Sequence, residues 1–158
     1  MNYNDFKDDY SEEEDYVDRE GELSFIYSLG RAFDGDAESQ YLMGYIYSSE
    51  GYGVKVNEEK AEYWFKRASD VGHTNAQCSL ADIYAKRGKF EEAFGLYLKA
   101  ADGGNYYGAT RAGVAYFEGQ GVERNIAEAK RLLKEGAKGG YEEARRYLIL
   151  CSQIGGEN

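Results

Sequence analysis

The sequence predicts an all-α protein, an α-solenoid of antiparallel helix hairpins stacked in series. Three observations predict it. The 158 residues include no proline and 20 glycines, so glycine has to end the helices. Three segments run from a glycine to a tyrosine twelve positions on: Gly35–Tyr47, Gly72–Tyr84 and Gly104–Tyr116. Each is followed by a second segment in which alanine, large apolar and small residues recur at fixed offsets. Periodic self-similarity of this kind marks a repeat array.

Residues 1–22 come first and carry ten acidic side chains against Lys7 and Arg19, most of the chain's net charge of -10. Composition reads this stretch as an acidic, flexible, solvated segment; the sharper alternative is an electrostatic arm for a basic partner. The repeat domain is expected over 23–151. A lone second helix, 23–34, opens it and repeats span 35–71, 72–103 and 104–139. A lone first helix, 140–151, closes the stack, and 152–158 form a tail.

In each first helix a small residue lies four after the glycine (Ser39, Ala76, Gly108). Met43-Gly44, Leu80-Ala81 and Ala112-Gly113 lie eight and nine after it. These share one helical face. Each second helix carries a marker alanine (Ala61, Ala93, Ala129), then Phe65, Tyr97 or Leu133 four later, then Ala68, Ala100 or Gly136. Small positions set against large ones let two helices approach closely. The links differ: Glu50-Gly51-Tyr52-Gly53-Val54 and Glu118-Gly119-Gln120-Gly121-Val122 are long, and Lys86-Arg87-Gly88-Lys89 is short. Asn57 and Asn125 are placed to N-cap the second helices, and Glu128 completes a capping-box-like pattern after Asn125.

The glycine–small–Leu-Gly–Tyr-type helix, the Glu-Gly-x-Gly-Val link and the Lys60–Ala68 helix together resemble the Sel-one-like repeat family of the tetratricopeptide-repeat superfamily. The resemblance covers roughly residues 23–151. The second repeat, with Gly88-Lys89-Phe90-Glu91-Glu92-Ala93, is instead similar to an ordinary tetratricopeptide repeat. The resemblance implies adaptor and scaffold proteins that bind partners along a concave surface.

Signals for chemistry are few. His73 is the one histidine, in a turn, and reads as polar surface. Cys78 and Cys151 form neither a disulfide framework nor a metal spacing, and Cys78 near His73 lacks an orienting third group. The Gly-x-Gly links lack a preceding strand and a Gly-Lys-Ser/Thr ending, so they read as turns rather than phosphate loops. No catalytic residue, metal or cofactor is expected, and the chain is read as no enzyme. An acidic chain repels phosphate backbones, which disfavours nucleic acid and anionic membranes. No apolar stretch suits a leader or a membrane span, so a cytoplasmic monomer is the default.

First helices of stacked hairpins line the inner wall, and the positions between the core offsets face it. Those expected to meet a partner are Glu38, Tyr41 and Tyr45, then Asn75 and Asp82, then Tyr107, Thr110 and Phe117. The tyrosines either cover a partner or pack on one another. Asp82 interrupts an apolar run and is expected to face solvent or a polar ligand. The function read from this is a protein-protein interaction module with a protein or peptide in its groove. An adaptor fits, and so does a cognate inhibitor such as an immunity protein or antitoxin against a basic partner. The alternative, a small-ligand-binding or hydrolytic enzyme, is disfavoured by the missing titratable cluster.

Overall fold

The structure, a computed structural model, describes residues 1–7, 9–10, 19–50 and 52–154. Among the described residues a 3-10 turn at Tyr3–Asp5 is followed by eight helices. These are α1 (Arg19–Phe33), α2 (Ala37–Ser48), α3 (Glu58–Asp70), α4 (Thr74–Lys86), α5 (Phe90–Asp102), α6 (Tyr106–Glu118), α7 (Ile126–Lys138) and α8 (Glu142–Ile154). Among the described residues no strand forms, only one antiparallel bridge between Tyr10 and Val54. The fold is an all-α solenoid of successive hairpins, divided into two compact units, Met1–Ala76 and Gln77–Asn158.

Helix ends follow one device. Gly35, Gly72, Gly104 and Gly140 have φ between 86° and 98°. That left-handed conformation lets the next residue's N–H reach back five positions, as Asp36 does to the Arg31 carbonyl and Asn105 to the Ala100 carbonyl. After Gly35, Gly72 and Gly104 the same next residue also caps the following helix with its side chain. Asp36 accepts from the Ser39 N–H and Asn105 from the Gly108 N–H, each at 2.9 Å. Each such cap stabilises its helix by about 1 kcal/mol.

In the first unit Ala61, Phe65 and Ala68 of α3 are buried against α2. Gly44 lies under the Phe65 ring, and a Cβ there would come 2.5 Å from a ring carbon. Asn57 caps α3 through the Lys60 N–H, and its own N–H donates to the Tyr47 carbonyl. The acidic N-terminal segment departs from expectation. Its described part is docked: Phe6 is fully buried among Phe33, Tyr47, Tyr63 and Trp64. Helix α1 begins at Arg19 rather than at 23. Net charge averaged over 22 positions hid three aromatic anchors, Tyr3, Phe6 and Tyr10. Residues 8 and 11–18 of that segment lie outside the described residues.

The second unit repeats the logic. Ala93, Tyr97 and Ala100 of α5, and Ala129, Leu133 and Gly136 of α7, are all buried. Gly113 meets Leu133 as Gly44 meets Phe65, its absent Cβ 2.8 Å from the leucine Cγ. Asn125 caps α7 through the Ala127 and Glu128 N–H groups. The expected capping box is only half formed. The Asn125 N–H is taken by the Tyr116 carbonyl, and the Glu128 carboxylate pairs with Arg131 at 2.9 Å. Helix α8 runs to Ile154, past the expected end at 151, and 155–158 lie outside the described residues.

Candidate partner-binding site

In the first unit the open stripe of α2 carries Glu38 and Tyr45, both exposed, with Tyr41 half-buried between them. Tyr41 stacks on His73 with ring centres 4.7 Å apart and lies tilted against Phe65 at 5.9 Å. His73 is more than polar surface. Its Nδ1 accepts the Ala76 N–H at 3.2 Å, so the imidazole itself caps α4. That leaves the ring proton on Nε2, 3.0 Å from the Glu38 carboxylate. The missed signal is positional: His73 follows its glycine as Asp36 and Asn105 follow theirs. Tyr45 is 43% exposed and meets Tyr52, from the long link, edge to face at 5.7 Å. Asn75, at the start of α4, is exposed.

In the second unit Asp82 is half-buried and already answered. Its carboxylate accepts from the Tyr97 hydroxyl at 2.5 Å and from the Tyr107 hydroxyl at 3.0 Å. The expectation that it faces solvent or a polar ligand is therefore corrected: its polar partners are internal. Burial first, and then the Asp82 carboxylate, hold both phenols well above the usual tyrosine range. Arg111 lies over the Tyr97 ring and pairs with Glu143 of α8 at 3.3 Å. One turn further, the Tyr147 hydroxyl donates to Glu118 at 2.5 Å and its ring packs on Phe117. The Glu118 bond, followed by burial, pushes the Tyr147 phenol up to about 12.

Thr110 leaves the expected set. It is fully buried, its hydroxyl bonded to the Tyr106 carbonyl and pressed against Gly136 of α7. Cys78 and Val114, at matching offsets, are buried too. Helix α6 packs on α5, on α7 and also on α8, which narrows its open stripe and turns it by one residue. On α6 that stripe runs Tyr107, Arg111, Glu118. Beside it lies a cleft of about 130 Å³ lined by Phe94, Tyr97, Arg111, Val114, Glu143 and Tyr147, among others. Arg111, Glu118, Glu143 and Tyr147 were not anticipated. Their spacing on α6 and α8 carries no mark of the ion pair and hydroxyl bond that stacking brings together.

Among the described residues no group of three or more His, Cys, Asp or Glu side chains could hold a metal ion. No described helix is long and apolar enough to cross a membrane.

Comparison with known proteins places this geometry. Residues 37–73, 74–105 and 107–141 each match the Sel1 repeat. An F-box protein of Arabidopsis thaliana is 35% identical over 103 residues, 65% of this chain and 29% of its own. Chitin synthase regulatory factor 2 of Schizosaccharomyces pombe is 31% identical over 134 residues, 78% of this chain and 26% of its own. The chain thus spans under a third of these relatives. The crystal structure of a Sel1 repeat protein from Oxalobacter formigenes is similar with a TM-score of 0.72 and 28% identity, over 80% of this chain and 97% of that one. With three consecutive matched repeats on hairpins of this geometry, the chain belongs to the Sel1 repeat family.

Proposed function

We propose that the chain is a non-catalytic binding module that holds a protein or peptide on its first-helix stripes. Sel1 repeats generally serve as protein-interaction modules, and the fission-yeast relative is named as a regulatory factor. The observation that carries the proposal is the locked stripe of the second unit. Arg111 pairs with Glu143, Tyr147 donates to Glu118 and Tyr107 donates to Asp82, so each polar group along the stripe is already held, beside a cleft lined in part by Phe94 and Val114. Groups fixed in advance lose little freedom when a partner arrives, which favours tight association. The cleft, at about 130 Å³, is well below the roughly 300–1,000 Å³ of small-molecule sites. It suits one anchoring side chain of a larger partner. A wider hollow of about 400 Å³ in the first unit is lined by Ser24, Phe25, Leu42, Ile46 and Tyr52, among others. Among the described residues that line it there is no carboxylate, imidazole or thiol.

Within that reading, an adaptor and a cognate inhibitor of immunity or antitoxin type both fit, and the net charge of -10 favours a basic partner. The test is capture from the native cell with mass spectrometry, followed by binding measurements on variants. Tyr45→Ala or Arg111→Ala should weaken the complex by about tenfold or more with helicity intact. Lys66→Ala and Lys134→Ala, on second helices, should be silent. Binding that survives both stripe changes and fails with the lysine changes would overturn the proposal.

A further inference from the structure

In the first unit the N-terminal segment fills an aromatic groove away from the open stripe of α2. Phe6 is fully buried between α1 and α3, with ring centres of Trp64 at 5.1 Å, Tyr63 at 5.5 Å, and Phe33 and Tyr47 at 5.8 Å. Lys60 lies 5.0 Å from the Phe6 ring centre, donates to the Asp5 carbonyl at 2.6 Å and pairs with the Asp9 carboxylate. The Tyr47 hydroxyl donates to the same carboxylate at 2.6 Å, and the Tyr63 hydroxyl donates to the Met1 carbonyl at 3.2 Å. Two side chains and two main-chain carbonyls of a short segment are therefore read separately. Every reading group stands on α1, α2 or α3.

We propose that this groove is a socket for a linear peptide bearing an aromatic residue followed three positions later by a carboxylate, with Phe6 and Asp9 of this chain's own N-terminal segment as its resident anchors. The walls are helical and do not depend on the segment's covalent link, so a peptide supplied by another chain meets the same groups. The ring goes to the aromatic cage, where desolvation and the Lys60 cation favour it. The carboxylate goes to Lys60 and Tyr47. A neighbouring hollow of about 220 Å³ is lined by Asp9, Tyr47, Lys55 and Lys60, among others. Among its described lining, Lys55 adds a second cation beside the Lys60–Asp9 pair. The resident segment competes from an effective concentration in the millimolar range, set by its tether. A partner carrying this motif and the chain's own N-terminus are therefore mutually exclusive.

Trp64 is the one tryptophan of the sequence and reports directly on the socket. The experiment titrates a synthetic peptide of sequence MNYNDFKDDY into the full chain and into full-length Phe6→Ala and Asp9→Asn variants, following Trp64 emission. Phe6→Ala should open the socket, shift the emission to the red, and bind the peptide saturably with return toward the original spectrum. The unaltered chain should bind at least about tenfold more weakly, because its own segment competes. Asp9→Asn should fall between the two. The same peptide with Phe6→Ala or Asp9→Asn should bind the Phe6→Ala chain at least about tenfold more weakly than the original peptide. Equal binding by the unaltered chain and Phe6→Ala overturns the proposal, as does no response from variants with native circular dichroism. If Phe6→Ala loses helicity, Asp9→Asn decides alone, and silence there overturns the proposal equally.

Discussion

Asp82 shows how a single residue can be half legible. Its place in an apolar run is plain in the sequence. The hydroxyls that meet it come from Tyr97 and Tyr107, 15 and 25 positions away, and only stacking of α4, α5 and α6 brings them to it. Asp82→Ala should strand the buried Tyr97 hydroxyl and cost about 1–3 kcal/mol in urea unfolding. Asp82→Asn should cost less, since the amide keeps an acceptor; equal midpoints for all three chains would show that the hydroxyls find other partners. The same carboxylate acts on Cys78. Burial first, then Asp82, pushes that thiol from 9.0 up to about 12. Burial also raises Cys151. Between pH 9 and 12 the unfolded chain loses the Cys78 proton while the folded chain keeps it. The contribution of this thiol is thus constant below pH 9 and falls as pH rises toward 12, and the buried phenols of Tyr97 and Tyr107, also raised, act in the same direction above pH 10. Denaturation midpoints across that window test the sign. At pH 8 neither thiol should react with Ellman's reagent until denaturant is added.

At the scale of the element, the hairpins were legible because their packing is written as size. Gly44 faces Phe65 and Gly113 faces Leu133, so one substitution has opposite effects at different glycines. Gly44→Ala gains up to about 1 kcal/mol of helix propensity but forces the new methyl into the Phe65 ring, a clash costing about 1–3 kcal/mol, and should be net destabilising. At Gly95, inside α5, a Cβ meets nothing within 4 Å. Gly95→Ala should stabilise by up to about 1 kcal/mol. Thermal unfolding of the pair checks both signs, and a stabilised Gly44→Ala chain would mean that α2 and α3 stand further apart than described. The N-terminal segment was misread at this scale. A stretch of acidic residues suggests solvation, yet one ring in an aromatic cage and one clasped carboxylate are enough to dock it. Those anchors are visible only with their receptors, which lie 27 to 58 positions further along the chain.

For the molecule as a whole, the repeat, its family and its helical class follow from local spacing, because each hairpin buries its face against its neighbours in sequence. The faces a partner would meet follow less well, since α7 and α8 together hide Thr110 and Val114 and leave Arg111 half-open. The glycine-ended helices carry a consequence for how fast the chain reaches this state. Turns closed by proline wait on peptide-bond isomerisation, which takes tens to hundreds of seconds. Here no proline occurs, and Gly35, Gly72, Gly104 and Gly140 enter their left-handed conformation by rotation about single bonds. Refolding from denaturant, followed by Trp64 emission in a stopped-flow mixer, should finish without a phase on that timescale and proceed at the same rate with or without a prolyl isomerase. A dominant hundred-second phase would locate the barrier instead in the assembly of one hairpin on the next.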